Sequence, residues 1–165
     1  MKKISNIYVV LITILVLIGT KANAQISKVE IRATGLTCSM CSNAINKQLK
    51  SMPEVLNVAT DLNTNTFTVT LKEGNTLSPK VFKDKVENAG FFIGTLMLTT
   101  NSETIKQGTY VLVNTASKNN AEVQVQVLDK GYVTEKEFKK LSKSLKNVSS
   151  YALNNQDDYH IKIIN

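Results

Sequence analysis

Two thiols carry most of the chemistry this sequence can offer. In Gly35-Leu36-Thr37-Cys38-Ser39-Met40-Cys41, Cys38 and Cys41 stand three residues apart, where an alternating apolar stretch gives way to a helical pattern. That spacing places Cys38 in a loop and Cys41 in the first helical turn. Unpaired backbone N–H groups and the positive end of the helix dipole point at this position, lowering a thiol pKa and favouring the thiolate, the form that ligates metal. Soft sulfur selects Cu(I) and other thiophilic ions over Mg and Ca. Two thiolates also leave such an ion under-coordinated and open to attack by a partner's thiolate through a three-coordinate intermediate. The pair therefore suits handing a metal over better than locking it away. The same CxxC spacing occurs in redox proteins and as half of zinc sites, and closure into a structural or redox disulfide is the competing chemistry.

Little else in the chain competes. Its 165 residues are 42% hydrophobic and 20% charged, with 7 Gly and 2 Pro, which excludes long disorder, collagen-like repeats and coiled coil. Two cysteines can neither staple a disulfide-dense scaffold nor fill a four-thiolate zinc site. A single histidine, His160, removes catalysis that relies on imidazole pairs, and its alternation with Tyr159 and Ile161 predicts a solvent-facing strand position.

The formal charge of +7 overstates the basicity of the folded part. Met1-Lys2-Lys3 is a positive start, Ile7 to Ile18 is apolar apart from Thr13, and Ala22-Asn23-Ala24 supplies small residues before Gln25. Residues 1–24 are thus expected to be a secretory signal peptide cleaved near Ala24, with a periplasmic or otherwise exported product. The apolar run is shorter than the roughly 20 residues a spanning helix needs, so an uncleaved leader is the alternative to cleavage and the one segment that could anchor the chain in a membrane. Without Lys2, Lys3 and Lys21, 17 basic residues face 13 acidic ones, a balance that does not suggest a nucleic-acid partner. Export would expose the thiols to oxidising conditions.

From Ile26 to Met97 the periodicity changes in a readable order. Val29, Ile31 and Ala33 alternate with polar neighbours as in a half-buried strand. Cys41, Ile45, Leu49 and Met52 recur at helical spacing, ending near Met52-Pro53. Val55 to Asp61 and Phe67, Val69, Leu71 predict two strands around Leu62-Asn63-Thr64-Asn65. Ser78-Pro79 offers an N-cap and a first helical proline, Phe82, Val86 and Ala89 the apolar stripe, and Gly90 a stop. Phe91 to Met97 completes βαββαβ, an α+β, ferredoxin-like sandwich of four antiparallel strands with two helices on one face.

The 68 residues after Met97 hold no cysteine. Thr109 to Asn114 predicts a strand, Ser117 to Asn120 a polar turn, and Val123, Val125 and Val127 a strictly alternating strand. Thr134-Glu135-Lys136-Glu137 reads as a capping box before a helix whose stripe is Phe138, Leu141 and Leu145. Tyr159, Ile161 and Ile163 make a closing strand. Shifting this half by 96 positions lays Gly131 on Gly35, Leu141 on Ile45 and Leu145 on Leu49, with Thr134 and Glu137 on the two cysteines. The expected organisation is a signal peptide over 1–24, a metal-binding unit over 25–97, and a second, smaller α/β region over 98–165 without metal ligands, read as a degenerate βαββ repeat.

The stretch GLTCSMC at the first strand-to-helix loop, followed by a helix, two strands, a helix and Ala89-Gly90-Phe91, resembles the heavy-metal-associated domain family of copper chaperones, copper-ATPase amino-terminal domains and periplasmic mercury-binding proteins. The resemblance runs from about Ser27 to Gly94. It implies Cys38 and Cys41 as metal ligands and Phe91 as an aromatic packed near the metal loop. It also implies Leu36 in a position where methionine is usual, tucked into the core. Thr37, where zinc- and cadmium-preferring members often carry aspartate, points to Cu(I), with Hg(II) or Zn(II) as alternatives. The implied protein is non-enzymatic and binds and transfers metal for trafficking or detoxification, with a transporter or efflux component as protein partner. Two other readings stand beside it: an exported thiol-disulfide oxidoreductase, and a protein-binding module whose metal site is vestigial.

The remaining candidates have plainer explanations. Met40 could add a thioether ligand, but an exposed loop methionine is the simpler reading. Lys136, Lys139, Lys140, Lys143 and Lys146 line the polar side of one helix and read as a solvated face, with acidic protein or lipid head groups as the alternative. Phe82, Phe91, Phe92 and Phe138 read as core.

Overall fold

A computed structural model describes residues 26–107, 109–114, 122–153 and 158–164. The expected leader, its cleavage site and the Ser117–Asn120 turn lie outside the described residues.

The first half follows the predicted order. Strand β1 (Ile26–Thr34) leads into helix α1 (Ser39–Lys50), followed by β2 (Val55–Asp61), β3 (Thr66–Leu71), α2 (Pro79–Asn88) and β4 (Phe92–Asn101). Every pairing among these strands is antiparallel, with β1 between β3 and β4, so the sheet runs β2-β3-β1-β4. Alternation sorts the side chains. Val29 and Ile31 lie opposite Val69 and Phe67 on one side and Leu98 and Leu96 on the other, all buried. Ile45 and Leu49 from α1 and Phe82 and Val86 from α2 close over that face and are fully buried. Each such side chain contributes about 1.5–3 kcal/mol through apolar burial, which is what docks the two helices. Pro79 opens α2, and Gly90, at φ +88, stops it in the left-handed conformation that costs glycine least.

The second half extends the same sheet. Strand β4 continues past Met97 to Asn101, and there pairs with β6 (Glu122–Val127), which pairs with β7 (Tyr159–Ile163); β5 (Tyr110–Leu112) lies parallel to β7 at the edge. The full order among the described residues is β2-β3-β1-β4-β6-β7-β5. Short helix α3 (Ser102–Gln107) follows β4, with Asn101 Oδ1 accepting from the Thr104 N–H and hydroxyl at 2.7 Å each. Helices α4 (Glu135–Ser144) and α5 (Ser149–Leu153) link β6 to β7.

The local part of the repeat survives and the topological part does not. Thr134 N-caps α4 as Cys38 stands at the N-cap of α1, and Gly131 and Gly35 share positive φ, 88° and 87°. However, β6 and β7 hydrogen-bond directly, whereas β1 and β2 flank β3. The helices also take opposite faces. Glu30, Met97, Gln126 and Lys162 are successive cross-strand neighbours on the face away from α1 and α2. Glu137 of α4 reaches Gln126 there at 3.5 Å, so its carboxylate does not complete the capping box, although Thr134 Oγ1 accepts from the Glu137 N–H at 3.2 Å.

Two expectations are corrected by this placement. His160 is fully buried, not solvent-facing. Its alternation with Tyr159 and Ile161 is as read, but the opposite face at β7 is covered by α5. Nε2 meets Ser150 Oγ at 2.8 Å, Nδ1 meets Asp129 Oδ1 at 2.7 Å, the His160 N–H donates to Asp129 Oδ2 at 2.7 Å, and the Tyr151 ring stands edge-on at 4.9 Å. Phe92, read as core, is 67% exposed because its register opposite Thr34 turns it to the uncovered face. Phe82 is core, while Phe91 and Phe138 are half-buried, the latter 5.8 Å from the Tyr151 ring.

The Asp129-His160-Ser150 chain joins the loop after β6, strand β7 and helix α5. Although its order resembles a nucleophile, base and orienting acid, both imidazole nitrogens are engaged and the ring is closed to solvent, so it acts as a clamp. Burial pushes the Asp129 carboxyl above its ordinary range, against the hydrogen bonds from His160. Asp129→Ala leaves a buried backbone N–H and a ring nitrogen unpartnered and is expected to lose about 2–3 kcal/mol in urea denaturation, against about 1 kcal/mol for Ser150→Ala. Equal and negligible losses in the two variants would show that the clamp carries no stability.

Candidate metal centre

The CxxC loop is held between two buried anchors. On one side β1 ends with Ala33 buried and its N–H donating to Asn65 O at 3.0 Å. On the other, Ile45 and Leu49 pin α1 to the sheet at 0% exposure. Gly35 makes the turn between them at φ +87, where a side chain would be strained. Phe91 lies under this turn: a Cβ on Gly35 would stand 3.9 Å from its ring Cδ1. Leu36 packs partly buried against the core. Both residues occupy the supporting positions that the sequence resemblance implies.

Cys38 is the N-cap of α1, extended at φ −154 and ψ 163, and its side chain makes no capping bond. Cys41 follows in the first turn, its N–H donating to Cys38 O at 3.1 Å. The two Sγ atoms are 3.0 Å apart, with Cys38 exposed and Cys41 partly so. No acidic residue occupies the first turn of α1 to oppose negative charge. The Cys41 thiol is held below its ordinary value of 9.0, first by the hydrogen bond with Cys38 and then by backbone bonding at Thr37, with burial opposing. One proton between two close sulfurs favours thiolate on the other, as the loop position predicts.

Among the described residues, no group of three or more His, Cys, Asp or Glu is arranged to hold a metal. Met40 is 81% exposed and His160 lies in the clamp, so neither joins the pair by contact. The five lysines of the α4 segment are all exposed. Sequence reasoning missed the Asp129-His160-Ser150 chain because positions 129, 150 and 160 share no spacing that a single element would bring together.

Residues 30–92 match the heavy-metal-associated domain. No curated protein matches the chain. Among solved structures, the chain is similar to the yeast copper transporter domain Ccc2a, determined in apo and Cu(I)-loaded states. Identity is 34% over 39% of this chain and 88% of that one, with a TM-score of 0.36. It is also similar to the N-terminal domain of a potential copper-translocating P-type ATPase from Bacillus subtilis in the Cu(I)-loaded state. There the identity is 28%, over 41% of this chain and 82% of that one, with a TM-score of 0.36. Through residues 30–92, the chain belongs to the heavy-metal-associated domain family.

Proposed function

We propose that this protein is an exported, non-catalytic carrier that binds one Cu(I) between Cys38 and Cys41 and passes it to a protein partner such as a metal transporter or efflux component. The observation that carries the reading is the pair of sulfurs 3.0 Å apart at the exposed amino end of a helix. The metal is cargo: it takes the place of the proton the two sulfurs share. A zinc ion seeks four ligands and would lack two here, whereas a soft monovalent ion is served by two thiolates. The exposure of Cys38 leaves one side of the ion open, so an incoming thiolate can bind before either resident sulfur departs. The positive start, apolar run and Ala22-Asn23-Ala24 within residues 1–24 support export, and a one-ion capacity suits trafficking or detoxification over storage.

A second reading, thiol-disulfide exchange, is favoured by the same separation, because closing 3.0 Å to the roughly 2.05 Å of a disulfide needs little movement. A strongly reducing, slowly exchanging Cys38–Cys41 couple counts against it.

Protein purified anaerobically is expected to bind one Cu(I) per chain, with stoichiometric binding lost in both Cys38→Ser and Cys41→Ser. Retention of parental affinity in both variants overturns the assignment. Protons compete for the same sulfurs, so apparent affinity should climb with pH, the climb beginning below pH 9.0 as Cys41 deprotonates. Metal-free alkylation of Cys41 should reach half its limiting rate below pH 9.0 as well, and at a higher pH in Cys38→Ala, which removes the largest stabiliser of the thiolate. A Cys41 alkylation profile unmoved by Cys38→Ala would mean that the two sulfurs do not share a proton.

A further inference from the structure

We propose that the lysine stripe of α4 is a docking surface for an anionic phospholipid bilayer. Helix α4 lies on the sheet face opposite the helices that carry the metal loop, with Glu137 against Gln126 and Phe138 against Tyr151. At about 100° per residue, Phe138, Leu141 and Leu145 form one stripe, and Lys136, Lys139, Lys140 and Lys143 fall within about 100° of arc on the other side. All four lysines are exposed, as is Lys146 just beyond the helix. Among the described residues, the one ion pair on the stripe is Glu135 to Lys139 at 3.9 Å, between side chains 63% and 72% exposed, too long and too wet to neutralise it.

The spacing makes these charges act together. Lys136 to Lys143 spans about 10 Å of helix axis, comparable to the screening length at physiological salt. A flat array of this size meets many head groups at once, each lysine near an anionic surface adding about 1 kcal/mol.

The residue type selects lipid over protein. Lysine is a hydrated point charge, depleted from the cores of protein interfaces, where arginine is enriched. Arg32 is the only arginine in the sequence and lies on β1, outside the lysine stripe. The exposed side of α4 also lacks the aromatic or aliphatic anchor that a protein interface uses as its centre. Docked this way, the protein would lie against the membrane through its second half, independently of the cysteine pair.

The test is co-sedimentation of the chain beginning at Gln25, the form that leader removal leaves, with phosphatidylcholine vesicles with and without about 30 mol% phosphatidylglycerol. Binding is expected only with the anionic lipid. It should weaken at least tenfold between about 50 and about 500 mM salt, and by at least about tenfold in Lys139→Gln/Lys140→Gln/Lys143→Gln at low salt. Those exposed positions leave folding intact, which an unchanged melting temperature confirms; Cys38→Ser/Cys41→Ser should bind vesicles like the parent. Equal binding to neutral vesicles, or undiminished binding by the triple variant, overturns the proposal. So does salt-sensitive capture by polyglutamate without vesicle binding, which would assign the stripe to an acidic protein.

Discussion

The burial of Ile45 and Leu49 beneath the sheet is the constraint on which the rest depends. These two side chains fix the rotation of α1 about its axis, and that rotation decides where residues one turn earlier can point. With both anchors down, Cys41 emerges at the rim and Cys38 caps the helix in extended backbone, so the sulfurs meet at 3.0 Å. Gly35 supplies the sharp turn off β1 and Phe91 supports it from below, leaving the chemistry at the surface and the stability in the core.

The same sheet serves two different jobs by using its two faces differently. One face is covered by α1 and α2 and positions the CxxC loop. The other is covered only toward β6 and β7, by α4 and α5, and stays polar under β1 and β3, where threonines and the Glu30–Lys28 pair are found. Pairing of β6 with β4 satisfies a strand edge that would otherwise be open, which joins the halves through backbone hydrogen bonds rather than through a linker. The Asp129-His160-Ser150 clamp then closes the second half on itself. It leaves none of its buried side-chain polar atoms without a partner.

Most of the first half was legible because each signal was local. The CxxC spacing, the strand alternation around Ile31 and Val69, the helical stripe of Ile45 and Leu49, and Pro79 and Gly90 as helix ends all act within a few residues. Strand alternation also correctly separated His160 from Ile161. What it could not tell was whether the second face was bare, because that depends on where α5 packs, and Ser150 and Tyr151 come from an element of their own. Phe92 failed for the converse reason: a large apolar residue reads as core, yet its register opposite Thr34 left it on an uncovered face.

The sequence alone determined which side chains could take a soft metal, since only two thiols exist and their spacing at a strand-to-helix junction follows from local periodicity. It also determined the βαββαβ order, because apolar patterns and turn residues act along the chain. Tertiary structure decided which faces the helices cover, how β6 and β7 pair, and that a lone histidine becomes a buried clamp. Those outcomes rest on contacts between segments far apart in the chain, where burial of one element's surface depends on another's position rather than on its own composition.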